Sequence, residues 1–138
     1  MLARRGADYD AHVRQRISRG AEMSAADYVR LIEERARFQA AVAARTRAYD
    51  ALIVPTVAVI APPIADFTDD ATFFRINARI LRNPNPVNFL DGCAISLPVA
   101  RPGEAPVGLM LIAGHGEDRR LLAMAAGIEA ALAAGLAR

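Results

Sequence analysis

The 138-residue chain contains no lysine, so all seventeen of its basic residues are arginine. An arginine-only basic set is what a GC-rich coding sequence produces, and it excludes any mechanism within these residues that needs a lysine amine. Tryptophan is also missing, and five Phe and three Tyr are the only aromatics. That is a poor set for stacking bases. The formal net charge is only +2, despite a pI of about 9.2. Residues 1–48 carry ten Arg against six acids, and the remainder carries seven against nine, with no basic run anywhere. These features argue against a nucleic-acid partner. Cys93 is the only cysteine, which rules out an internal disulfide and points to a reducing compartment. No stretch approaches the roughly 18 consecutive apolar residues of a membrane span. The opening MLARRGADYDAHVRQR has no apolar core of the kind a signal peptide needs. A cytoplasmic location with no membrane partner is the resulting expectation.

What the chain does have is a globular balance, 54% hydrophobic and 23% charged. Thirty alanines make up much of the apolar fraction, so the core must rest on Leu, Ile, Val and a few Phe. The first 23 residues are polar, with helix expected around Asp10–Ile17 and ending near Gly20. Ser24 and Asp27 form a capping-box-like start. Tyr28, Leu31, Ile32, Phe38, Val42 and Tyr49 then recur at helical spacing, predicting one amphipathic helix over residues 24–48 with a Glu33–Arg37 pair on its wet side.

The apolar run Asp50–Thr56, closed by Pro55, reads as a buried strand. Residues 57–70 read as a loop around Pro62-Pro63. Asp69 or Asp70 is placed to cap a helix over 71–82 with Phe73, Ile76 and Ile80 on one face. Asn83-Pro84-Asn85-Pro86 must break that helix, Pro86 is suited to open a short helix, and Gly92 to close it. Two apolar runs, Ala94–Ala100 and Val107–Ala113, flank a Pro102-Gly103 reversal and predict an antiparallel pair. After a Gly114-His115-Gly116 turn, Leu121, Ala125, Ile128 and Leu132 mark a final helix over 117–134. The sum is an α/β unit of about three strands with a long N-terminal and a C-terminal helix. Strands this apolar expect cover on both faces, and two amphipathic helices cannot provide it. Residues 1–138 therefore read as an incomplete domain, prone to self-association.

Few residues offer chemistry. Ser96, between Ile95 and Leu97, fits a buried hydroxyl bonded to a neighbouring strand, with no base beside it in sequence. Cys93 fits a packing position, since no cation or histidine adjoins it. His115 reads as a surface-loop residue, Asn88 as a side chain bonding loop backbone, and the pairs Glu33-Glu34 and Asp69-Asp70 as solvated or capping carboxylates. Two His and one Cys at these separations make no metal site.

Three segments in order resemble the C-terminal part of the amidase-signature family. They are Tyr49-Asp50-Ala51-Leu52-Ile53-Val54-Pro55-Thr56; Asn88-Phe89-Leu90-Asp91-Gly92-Cys93-Ala94-Ile95-Ser96-Leu97-Pro98; and Pro106-Val107-Gly108-Leu109-Met110-Leu111-Ile112 with the helix that follows. The entry Arg16-Ile17, Gly20 and long helix also matches. The resemblance implies an α/β fold built on a mixed sheet flanked by helices. It also implies hydrolysis of a carboxylic amide by a Ser nucleophile, a bridging Ser and a Lys, without a cofactor. Those groups belong to a Gly/Ser-rich stretch upstream of the matched region. This chain has three Ser (Ser18, Ser24, Ser96), none in such a setting, and no Lys. By position, the resemblance assigns Ala78, Leu81 and Asn85 to the wall facing the acyl part of the substrate, near Pro55 and Thr56. A small-molecule amide is then a partner only when the missing N-terminal part is supplied. The alternative is a non-catalytic relic, or a piece docking on an amidase-like subunit such as that of a tRNA-dependent amidotransferase.

Overall fold

The structure, a computed structural model, describes residues 2–101 and 103–136. It divides into two compact units, residues 1–37 and 38–138, with the boundary inside one long helix.

The first unit is helical. A short helix α1 (Leu2–Arg5) and a 3-10 turn (Gly6–Asp8) lead to α2 (Ala11–Ser18). Asp10 caps α2, its carboxylate accepting from the backbone N–H of His12 and Val13 at 3.0 and 3.2 Å. A second 3-10 turn (Arg19–Glu22) precedes α3 (Ala25–Thr46). Ser24 Oγ accepts from the Asp27 N–H at 3.1 Å and donates to Asp27 Oδ2 at 2.6 Å, so the capping signal in the sequence is realised. The expected Glu33–Arg37 pair is not the one formed. Arg37 reaches Glu34 instead, at 2.6 Å and three residues back. Both spacings place opposite charges side by side on a helix, so neighbouring acids compete for one guanidinium on nearly equal terms.

In the second unit, β1 (Leu52–Pro55), β2 (Cys93–Pro98) and β3 (Gly108–Ala113) form an antiparallel sheet in the order β1-β3-β2. The register runs from Leu52↔Ile112 to Pro55↔Leu109 on one side of β3 and from Cys93↔Ala113 to Pro98↔Gly108 on the other. Alternation puts Cys93, Ile95, Leu97, Leu109, Leu111 and Ala113 on one face. The helix α6 (Asp118–Leu136) packs there, chiefly under β2 and β3. Leu97, Leu111, Leu121 and Ala125 form the core, and Met124, Ile128 and Leu132 pack against it. Leu111, at 0% exposure, is the centre of the fold. The expectation of a fully buried β1 is corrected. Ile53 is 56% exposed, because that end of the face lies beyond α6.

Between β1 and β2 the chain makes a loop with a 3-10 turn (Ile64–Asp66), then α4 (Asp70–Ile80) and α5 (Pro84–Leu90). Asp69 caps α4 by accepting from the Thr72 N–H at 2.8 Å, and Ile76 is buried as its periodicity requires. Two expectations at α5 shift. The helix opens at Pro84, two residues before Pro86, since amides in the first turn need no intrahelical acceptor and both prolines fit there. It closes on Asp91, at φ 58° in the left-handed region, while Gly92 serves a different need. A Cβ on Gly92 would sit 2.8 Å from the Ala113 carbonyl oxygen, so glycine is what lets β2 start close beside the end of β3.

The β2–β3 connection turns at Arg101–Glu104. The Glu104 N–H donates to the Arg101 carbonyl at 3.0 Å, and Gly103 is at φ 87°. The Pro102 part of the expected reversal lies outside the described residues. No helix among the described residues is long and apolar enough to cross a membrane.

Candidate functional site

The sheet has two poles, set by where β3 begins and ends. At the pole where β3 begins, Thr56 leaves β1 and its N–H donates to the Gly108 carbonyl at 2.8 Å. On the face away from α6, Thr56 Oγ1 and Ser96 Oγ meet at 2.5 Å. They meet over Gly108, where a Cβ would collide with both hydroxyl oxygens. A glycine inside an otherwise apolar strand marks such close approaches. Asn83, at the α4–α5 junction, donates its side-chain amide to the Pro55 carbonyl at 2.7 Å and ties α4 and α5 to the end of β1. The side-chain-to-loop bond expected of Asn88 is thus made by Asn83. Asn88 itself lies within α5 and is exposed.

The residues assigned to a pocket wall run along this same junction. Ala78 is exposed on α4, Leu81 is the half-buried C-cap of α4, and Asn85 is exposed in the first turn of α5. The Asn85 N–H donates to the Leu81 carbonyl at 3.0 Å, which fixes those two in register. None of the three lines either of two cavities in this unit. One cavity of about 430 Å³ lies between the loop after β1 and the Thr72–Ile76–Arg79 side of α4. The other, of about 530 Å³, belongs to the opposite pole.

At that opposite pole, the larger cavity has an apolar floor of Val42, Leu52, Leu90 and Ile112. Its rim is ionic. Arg120 donates to Asp50 and, at 3.3 Å, to Glu117, and the bond to Asp50 raises the guanidinium above its ordinary value. His115 follows β3 in an exposed turn, with Nδ1 3.2 Å from the Asp91 carbonyl oxygen and 3.3 Å from Asp91 Oδ2. His115 and Ser96 cannot act as base and nucleophile. Six residues of β3 separate Gly108 from Gly114, a span of about 20 Å.

The expectation of a buried Ser96 hydroxyl bonded to a neighbouring strand is corrected. Ser96 is exposed, and its partner is Thr56, just past the end of β1, on the far side of β3 from β2. Cys93 packs against the α6 core and donates its thiol to the Gly114 carbonyl at 3.3 Å. Burial pushes that thiol up from its ordinary range and the Asp118 charge adds to the effect, which leaves it a poor nucleophile. Asp69 titrates below its ordinary range because the Thr72 backbone N–H, foremost, bonds its ionised form. No group of three or more His, Cys, Asp or Glu able to hold a metal occurs among the described residues.

Sequence reasoning missed the Thr56–Ser96 pair, the Asn83 tie and the Arg120–Asp50 bridge. Gly108 was the one local signal for the first. The others join residues 28 and 70 apart.

The sequence profile of the amidase family, described simply as Amidase, matches residues 1–122. A curated relative from Comamonas testosteroni, 2-amino-5-chloromuconic acid deaminase, is 32% identical over 127 residues, covering 91% of this chain. The chain spans only 28% of that relative's length. No solved structure matches it. With the profile extending over most of its length, through the Thr56–Ser96–Gly108 corner and into α6, the chain belongs to the amidase family.

Proposed function

We propose that these residues are the C-terminal segment of an enzyme that hydrolyses the C–N bond of carboxylic amides. They supply scaffold and a wall of the acyl pocket, and no catalytic group of their own. The observation that carries the reading is a family match over residues 1–122 in a chain with no lysine. Its one serine in the second unit, Ser96, is bonded to Thr56, about 20 Å from the nearest histidine of that unit. Attack by a serine needs its proton removed by a positioned base, and among the described residues the side chain bonded to Ser96 is the hydroxyl of Thr56, which is no base.

Ala78, Leu81 and Asn85 form the wall in this reading, next to Pro55 and Thr56. A half-buried Leu81 suits an apolar acyl group. The amide binds only when chain carrying the nucleophile, the bridging Ser and the Lys completes the site. The relative's name describes a deaminase, which also acts on a C–N bond, and this supports the reaction class.

The test is a chimera in which this chain replaces the matching 28% of the Comamonas testosteroni relative, assayed on 2-amino-5-chloromuconic acid. Leu81→Ala and Asn85→Ala are expected to shift KM or kcat several-fold. An active chimera whose constants neither substitution moves overturns the wall assignment.

A further inference from the structure

Asn83 stands at the cap position of α5 and does not cap the helix. An Asn at that position ordinarily accepts from the backbone N–H of the second or third helical residue. The third is Pro86, which has no N–H. The second is Asn85, whose N–H already donates to the Leu81 carbonyl at 3.0 Å. With nothing there to serve, the Asn83 side chain donates its amide to the Pro55 carbonyl at 2.7 Å.

Strand register fixes the acceptor. The Thr56 N–H bonds the Gly108 carbonyl, and Pro55 lies opposite Leu109. In an antiparallel ladder, residues bonded to the partner strand alternate with residues whose C=O points away. The Pro55 carbonyl therefore faces the outer edge of β1, where Asn83 reaches it. A single turn fixes the donor. The bond from Asn85 to Leu81 closes residues 81–85, and Asn83 is the midpoint of that turn. One hydrogen bond thus joins the middle of the turn bearing Leu81 and Asn85 to the residue before Thr56. Among the described residues, β1 packs closely on β3, and α4 and α5 make no backbone packing of that extent with β1. The tie at Asn83 is not duplicated by a packed helix–strand face.

We infer that Asn83 is a positioning residue for the acyl-pocket wall. Through the Pro55 carbonyl it sets where Leu81 and Asn85 stand relative to Thr56. This inference rests on the proposed assignment of Leu81 and Asn85 to that wall.

The experiment uses the same chimera with the Comamonas testosteroni relative, assayed on 2-amino-5-chloromuconic acid. Asn83→Asp keeps the shape of the side chain and removes its N–H donor. It is expected to raise KM several-fold and change kcat less. Asn83→Gln keeps the donor and is expected to return KM part of the way. Combined with Leu81→Ala, Asn83→Asp is expected to cost less than the product of the two single effects, since both act on one wall. If Leu81→Ala shifts the constants while Asn83→Asp does not, or if the two effects simply multiply, the inference is overturned and the wall assignment stands. If neither Leu81→Ala nor Asn85→Ala shifts them, the wall assignment falls and the inference falls with it. Should the chimera be inactive, amide exchange on the purified 138-residue chain decides. Asn83→Asp is expected to lower protection of the Asn85 amide and to leave that of the Thr56 amide, bonded to Gly108, unchanged. Unchanged protection at Asn85, or an equal loss at Thr56, overturns the inference.

Discussion

The stretch of α3 in the first unit and α6 in the second carry the same kind of sequence signal with different outcomes. On α6, the periodic positions Leu121 and Ala125 are 2% and 3% exposed, buried against Leu97 and Leu111. On α3, the periodic positions Tyr28 and Ile32 are 58% and 47% exposed. Both segments are helices and both begin where sequence places the start. Periodicity of 3.6 residues says that a helix has an apolar face; it does not say that the cover for that face lies in the same chain. Among the described residues, α6 has its apolar face covered by β2 and β3, and the stripe of α3 at Tyr28 and Ile32 stays exposed.

The contrast can be broken or sharpened by substitution. The largest effect is expected at Leu111, where Leu111→Ala removes the centre of the core. It is expected to cost about 2–5 kcal/mol in denaturant unfolding monitored by circular dichroism. Gly108→Val forces a side chain between Thr56 and Ser96, and the expected loss is about 1–3 kcal/mol by the same measurement. Leu31→Gln, on the exposed stripe of α3, is expected to change stability by no more than about 0.5 kcal/mol. A loss at Leu31 comparable to that at Leu111 would erase the distinction between the two helices.

The smallest effect is a local one, at Asp69. Its folded pKa lies below the ordinary 3.8, so its cap contributes above that value and is lost as pH falls through the lower folded pKa. Protection of the Thr72 amide, its exchange relative to the intrinsic rate at each pH, is expected to fall as pH drops through that lower pKa, while protection at Leu111 holds at the onset of that change.

What sequence made legible was local. Ser24 with Asp27, a cap at Asp69 or Asp70, and the Leu121–Ala125–Ile128 spacing each encode a start or a face within a few residues; each is realised, with Asp69 as the cap. The apolar runs and the turn between them were enough for the β2–β3 pair. The corner where Thr56, Ser96 and Gly108 meet was not legible, because its two hydroxyls lie 40 residues apart and are brought together by strand register. The shift of the α5 start to Pro84 follows from a rule that tolerates proline throughout a first turn, so two nearby prolines do not single out one start. Ala78, Leu81 and Asn85 came from family position alone. The structure sets them along one junction, and neither of the two cavities described above includes them.

In the proposed function these residues build a wall and a scaffold, and the hydrolytic groups come from elsewhere. The most direct measurement is turnover of simple aliphatic and aryl amides by the purified chain. No release above a buffer control is expected. Turnover clearly above that control, abolished by Ser96→Ala, would contradict the claim.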